Sequence, residues 1–399
     1  MPTSALSSLH DPMHTAGPDS EPVPQADGPG FQPRQLVLLG AGDAHLHVLD
    51  QLAHQPMVGV RITLICPYGK QMVAGLMPAL IAGTRGADDC TLALEPLVRR
   101  SGVRWLSRSV RRLNASDRAI ELDDGSVVNY DWLSINTGPV QHRVALEERM
   151  PGAREYGLFL HPMESFAALW PQVVSIGMER TLSVAIIGGG QAGIEVALAV
   201  RQRLPRSAIT LLNTDHLPGA RWGPDVQRKL LAELKAQRVM VIVDRVIGIG
   251  GKAIQLASGA SLRCDVPLIA SGAEIPTWLA ESGLALTHAT QDNGRTSHRA
   301  IALANGLHSA SHTEIFAAGF VAQTQGPAGP SLITALRKAT IADASQAIKA
   351  VRPQRLHFIA WGNNRALLIW GKLCLQGRIA GALRAWLQRR FVARYARAP

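Results

Sequence analysis

Apolar residues run unbroken from Leu36 to Leu39 and stop at Gly40, after which Asp43 onward reads as a helix. RITLIC at 61–66 is a second buried-strand pattern, and a continuous apolar run of that length suits a parallel sheet covered on both faces. Residues 103–109, 118–122 and 126–134 read as short strands between polar turns, with Asp124-Gly125 as a hairpin turn. The stretch YDWLSINTG then closes at Gly138. The order restarts at LSVAIIGGGQAGIEVALAVRQRL, 182–204, which is strand, glycine turn and amphipathic helix. AITLLN at 208–213, VMVIV at 239–243, AIQLA at 253–257 and CDVPLIASG at 264–272 repeat the first half. The pattern predicts an internal duplication of a β-α-β start, an antiparallel insert and a strand ending in Thr-Gly or Ser-Gly. EIFAAG and a helix-like stretch, SLITALRKATIADASQAIKA, follow.

The expected fold class is α/β: two Rossmann-like FAD/NAD(P)-binding domains with antiparallel inserts and a small C-terminal β-hairpin and helix. The boundaries read as a disordered leader at 1–34, a first domain at 35–160 completed by 290–350, a second at 161–289, and a basic C-terminal region at 351–399. A chain of 399 residues, 47% hydrophobic and 18% charged, has the length for several domains and the apolar content for real cores. No apolar run reaches 18 residues, and the first 33 lack the basic start and apolar stretch of a secretory signal. The four cysteines, Cys66, Cys90, Cys264 and Cys374, are scattered and show no C-x-x-C spacing. They read as reduced thiols of a cytoplasmic protein.

Charge changes the picture at one end. The formal net charge is +11, and residues 351–399 hold ten Arg or Lys and no acid, leaving the rest at +1. RLHFIAWGNNRALLIWG reads as two strands about a Gly-Asn-Asn turn, and 378–397 as a basic helix carrying Trp386, Phe391 and Tyr395. Such a helix suits peripheral contact with an anionic membrane surface or packing on the domain or a homodimer mate. Nucleic acid is not the expected partner.

The chemistry sits at the glycine turns. Gly188, Gly190 and Gly193 form G-x-G-x-x-G between a strand and a helix. The first glycine allows the tight turn, the second admits a pyrophosphate, and the third lets helix and strand approach. The helix N-terminus adds free amides and a positive dipole end. Asn213 and Asp215 stand where an acid normally reads the ribose 2′-hydroxyl, and the nearest downstream arginine is Arg221, which favours NADH over NADPH. The first turn reads Gly40-Ala41-Gly42-Asp43-Ala44-His45, with His45 in the third glycine's place. Such a side chain should widen the helix–strand spacing. On a helix His45 and His47 point to different faces, so no metal site is expected there.

Together these motifs resemble the pyridine-nucleotide disulfide oxidoreductases, a superfamily of flavoproteins with two dinucleotide folds. Within it the chain is similar to the type II NADH dehydrogenases, and more so to the flavoprotein domain fused to selenophosphate synthase, whose Gly-Gly-Gly-His-x-His turn GAGDAHLHVL resembles. MVAGLMPALIAG at 72–83 is similar to the family's segment near the flavin. The resemblance implies FAD held by Gly40, Gly42, Asp43 and His45, by Thr137 and Gly138, and by Gly319 and Phe320. It implies NADH or NADPH over Gly188, Gly190, Gly193, Asn213 and Gly272, with Glu195 as the catalytic residue beside the nicotinamide. Thr334, Arg337 and Lys338 would approach the acceptor side. The implied activity is an FAD-dependent NAD(P)H dehydrogenase passing hydride to the flavin and then to a small-molecule acceptor such as a quinone. The alternatives are a soluble electron-transfer flavoenzyme serving a partner protein, and a degenerate nucleotide-binding or regulatory protein. Two departures stand out: Phe320 replaces the family's flavin-anchoring Asp, and Cys66-Pro67 replaces the acid that ends the second strand. Each missing bond is worth about 0.5–1.5 kcal/mol. On the resemblance, an Asp at 320 would restore a flavin anchor.

Overall fold

A computed structural model describes residues 33–290, 296–304, 306–324, 328–341, 356–371 and 373–396. Of the leader expected at 1–34, residues 1–32 lie outside the described residues and Arg34 already opens the first strand; the proposed continuation of a helix over 342–350 also lies outside them.

The scaffold strands are β1 (Arg34–Leu39), β2 (Val60–Ile65), β3 (Arg104–Leu106), β4 (Trp132–Ile135), β5 (Leu158–Phe159), β6 (Ser183–Ile187), β7 (Ala208–Asn213), β8 (Val239–Val243), β9 (Val266–Ile269) and β10 (Ile315–Ala317). Helix α1 (Asp43–His54) follows β1, and α2 (Gln191–Arg203) follows β6. The first sheet has the order β10-β4-β1-β2-β3 and the second β5-β9-β6-β7-β8. Every neighbouring pair in both sheets is parallel. The inner strands β1, β4, β6 and β7 are largely buried on both faces, as their apolar runs require, while the edge strands β3 and β8 are partly exposed.

The duplication is structural. A three-stranded antiparallel meander, Val110–Asn114, Ala119–Leu122 and Val127–Asn129, intervenes between β3 and β4. Its counterpart, Val246–Ile249, Ala253–Leu256 and Ser261–Arg263, intervenes between β8 and β9. The two units cross where Val140 pairs with Glu274 and Gln141 with Ala273, just beyond the Thr-Gly and Ser-Gly strand ends. Gln141 secures this crossing: its Nε2 donates to the Ile269 and Ser271 carbonyls, and its Oε1 accepts the His161 amide.

The C-terminal region has one more strand than the sequence predicts. Strands β11 (Leu356–Gly362), β12 (Arg365–Trp370) and β13 (Leu373–Gly377) form an antiparallel sheet, and α3 (Arg378–Tyr395) follows. Asn363 and Asn364, at φ 48° and 57°, make the left-handed turn between the first two. Strand β13 was hidden by the polar and small residues around Gly371 and Gly377. Arg365 makes paired bonds of 3.1 and 3.0 Å to Glu233, and Arg394 bonds Asp50 of α1 at 3.1 Å. These pairs hold the basic region against both units.

Candidate functional site

Each glycine turn lies at the carboxyl end of a central strand, where open α/β sheets bind ligands. In the second turn Gly188 has φ +124°, and a Cβ there would meet Ser271 at 2.9 Å. A Cβ on Gly193 would come 1.8 Å from the Gly188 carbonyl oxygen, so only glycine lets the helix sit this close. Gly190 differs: a Cβ there meets nothing within 4 Å, and its φ of −69° is ordinary. The space beside Gly190 is open to a ligand. The α2 ladder begins with the Ile194 amide bonded to the Gly190 carbonyl, so the amides of residues 191–193 precede it.

The first turn is built around a residue that the sequence reading missed. Asn136, 5% exposed, directly follows β4 and ties it to two other segments. Its Oδ1 accepts the Ala44 and His45 amides, both at 3.1 Å, and its Nδ2 donates to the Ala318 carbonyl at 2.9 Å. Added Cβ atoms on Gly40, Gly42 and Gly319 would lie 2.7, 2.5 and 2.6 Å from Asn136 atoms. All three glycines therefore make room for one asparagine. A polar residue straight after the apolar strand WLSI was the available signal.

His45 is fully buried. Its Nδ1 bonds the Gly40 carbonyl at 2.6 Å and its Nε2 meets Ser134 Oγ at 2.8 Å. The ring is neutral, with Nδ1–H donating and Nε2 accepting, and burial holds its pKa down at about 4. Asp43 opens α1 with an exposed side chain. His47 lies instead beside Tyr395, with 3.4 Å between Nδ1 and the hydroxyl. Among the described residues no group of three or more His, Cys, Asp or Glu side chains gathers to hold a metal.

Over the first turn lies a cavity of about 530 Å³. Gly40–Gly42, Cys66 and Pro67 at the end of β2, Arg108–Arg111, Thr137 and Gly138, and His161–Glu164 form its walls. Thr137 Oγ1 is buried without a hydrogen-bond partner among the described residues, and a Cβ on Gly138 would meet nothing within 4 Å. An unpartnered hydroxyl beside open backbone is what a polar ligand of this size would satisfy. Cys66 stands where an acid would read a ribose, and burial pushes its thiol up to about 11. The buried carboxylate in this wall is Glu164, which comes from the other unit and whose charge is felt at Cys66. The open backbone and polar wall fit the adenosine and pyrophosphate portion of FAD; Glu164 Oε1 also accepts the Met72 amide at 3.4 Å.

The sequence model described as pyridine nucleotide-disulphide oxidoreductase matches residues 34–349. The chain belongs to that family. The probable ferredoxin reductase CtmF of Castellaniella defragrans is 29% identical over 258 residues, covering 62% of this chain and 60% of that protein. The chain thus spans less than two thirds of that relative's length. The sulfide:quinone oxidoreductase of Aquifex aeolicus has the same fold, with TM-score 0.70 at 13% identity over 91% of each chain. So has NDH2 of Plasmodium falciparum, with TM-score 0.69 at 14% identity over 92% of this chain and 96% of that one.

Other expected family positions are engaged in ways the sequence did not suggest. Asn213 Oδ1 accepts the Gly189 amide at 3.1 Å and its Nδ2 donates to the His216 carbonyl, so it staples the second turn. Gly272, at φ +73°, faces Leu146, 2.9 Å from an added Cβ. Phe320 stacks on His298, with centroids 4.2 Å apart and planes at 12°. Arg337 bonds the Gln55 carbonyl at 2.6 Å, and Thr334 bonds Pro330 within its own helix. Glu195 is not among the residues lining the cavity. Its Oε1 accepts the Ala360 amide of β11 at 2.7 Å and lies 3.8 Å from Arg384 of α3. Arg384 and Gln388 both donate to the Gly75 carbonyl, so α3 sits against the segment expected near the flavin. The four cysteines are free, and burial raises the Cys66, Cys90 and Cys264 thiols to about 11 each, far from thiolate at neutral pH.

Proposed function

We propose that this chain is an FAD-dependent NAD(P)H oxidoreductase that hands its electrons to an iron–sulfur carrier protein. The observation that carries the reading is the cavity over the first turn, with Thr137 in its wall, in a chain whose second turn keeps the space at Gly190 open. When bound, FAD supplies the redox chemistry, taking a hydride from the nicotinamide and passing electrons on. The chain's own part is to bind and orient. Asn136 fixes the first turn, Thr137 and Gly138 meet the phosphates, and Glu164 meets the ribose. Gly190 and the amides of 191–193 receive the pyrophosphate of NAD(P)H. The open cavity argues against a degenerate regulatory protein. A carrier-protein acceptor draws on the relative named as a probable ferredoxin reductase.

A quinone at a membrane surface is the second reading. Among the described residues no helix is long and apolar enough to cross a membrane. What favours this reading is the C-terminal region, where Ile379, Leu373 and Trp386 are 74%, 68% and 48% exposed among basic residues. The same face is available to a second copy of the chain. The finer kinship with the domain fused to selenophosphate synthase rests on the His45 turn.

The test is spectroscopic. The purified protein, or the protein incubated with FAD, shows a flavin band that NADH or NADPH bleaches without oxygen. Gly190→Val keeps its flavin, since a Cβ at this position meets no protein atom within 4 Å and the turn lies in the other dinucleotide unit, yet it is no longer reduced. Protein that remains colourless in excess FAD would end this reading.

A further inference from the structure

The strand end that usually decides between NADH and NADPH carries no charge here. Asn213 ends β7 and spends both ends of its amide on the Gly189 N–H and the His216 carbonyl. An acid at this place reads the ribose 2′-hydroxyl of NADH, while a nearby arginine accommodates the 2′-phosphate of NADPH. Asp215 stands two residues farther on, with its side chain exposed.

The chain that leaves β7 returns to the glycine turn. The single turn Ala220–Trp222 brings Arg221 Nη2 to 3.4 Å from Gln191 Oε1. Gln191 is the first residue of α2, immediately after the open Gly190. Two of its surroundings help to set the guanidinium there. It lies 4.2 Å over the Trp222 ring, and Gln191 is itself fixed by a 2.9 Å bond from its Nε2 to the Phe358 carbonyl of β11. The C-terminal sheet thus orients Gln191, and Gln191 receives Arg221. Seven residues separate Asn213 from Arg221 in sequence, but the fold brings the cation back to the glycine turn. A planar guanidinium donates in parallel to two phosphate oxygens, a geometry that a hydroxyl does not reward as well.

We propose that Arg221 is the 2′-phosphate reader and that the chain uses NADPH in preference to NADH. This rests on the second turn being the NAD(P)H site. Calorimetric titration of the FAD-loaded full chain with 2′,5′-ADP and with 5′-AMP tests it apart from turnover. The 2′-phosphorylated fragment binds about 10- to 100-fold more tightly, the range for hydrogen bonds to a charged group. Arg221→Ala removes that advantage and leaves 5′-AMP binding unchanged, while Arg221→Lys keeps part of it. The rate of flavin reduction by NADPH relative to NADH falls in parallel. Equal binding of the two fragments to the wild type overturns the assignment and leaves Asp215 as a ribose reader. Loss of both fragments in Arg221→Ala reduces Arg221 to a structural residue. Binding of neither fragment, with flavin still in place, overturns the nucleotide reading of the second turn as well.

Discussion

The Gly40 carbonyl receives the Nδ1–H of His45 at 2.6 Å, whereas the matching carbonyl of Gly188 lies 1.8 Å from where a Cβ on Gly193 would be. The two turns solve one problem in opposite ways. In the second, glycine lets the helix close onto the strand. In the first, the helix stands off far enough for an imidazole to fill the gap, bridging the turn to Ser134 of β4. The histidine is a spacer whose two nitrogens are both satisfied.

His45→Gly restores the family's spelling and should still destabilise the protein. It empties a packed site, strands the Ser134 hydroxyl, and places glycine inside a helix. The loss should be on the order of 2–4 kcal/mol. Chemical denaturation of the apoprotein measures it, and an unchanged midpoint would show that α1 simply closes down.

Stability should fall with acid for the same reason. His45 and His161 are both held down to about 4 from an ordinary 6.5 by burial. Between those values the unfolded chain binds protons that the folded chain refuses. The contribution of these rings is therefore complete above 6.5 and is lost as pH falls toward 4. Melting temperature should decline across that window, and less steeply in a His45→Gln variant. A flat profile between pH 6.5 and 4.5 would mean the rings are accessible to protons in the folded state.

The turns and the duplication were legible because glycine spacing and continuous apolar runs report backbone demands directly. Side-chain bookkeeping was not legible. Asn136 and Asn213 both read as strand-end polar residues at a ligand site, and both hold glycine turns in shape. The charged partners of Glu195 and Asp50 lie on α3, which no local pattern connects to them. The sequence marks Phe320 as a departure, but only its stacking on His298 gives the departure a physical meaning.

That stacking sets the outcome of Phe320→Asp. The resemblance expects a restored flavin anchor. The structure instead has the ring against His298 and the core around Val321 and Ile301. Removing it costs roughly 3–5 kcal/mol, as large-to-small changes do. The variant should melt lower and bind FAD no more tightly in a titration of apoprotein. Tighter binding with an unchanged melting point would return position 320 to the flavin.

Glu195 has one partner by resemblance and others in the structure. By resemblance it serves the nicotinamide. In the structure it clasps the C-terminal sheet through the Ala360 amide and faces Arg384, which also holds the Gly75 carbonyl at 2.7 Å. Burial raises the Glu195 carboxyl, while Arg384 and the Ala360 amide pull it back down. Taking Arg384 away leaves a carboxylate short of its counter-charge, and taking the carboxylate away strands a guanidinium. Each single change should therefore destabilise more than the pair of changes together predicts. We expect Arg384→Met and Glu195→Gln each to lower the melting temperature, with the double variant recovering about 1–3 kcal/mol of the summed loss. Flavin reduction by NADPH should change little in Glu195→Gln once the protein is fully folded. The opposite pattern, an unchanged melting temperature with flavin reduction slowed a hundredfold, would give Glu195 back its place beside the nicotinamide and leave Arg384 to hold Gly75 on its own.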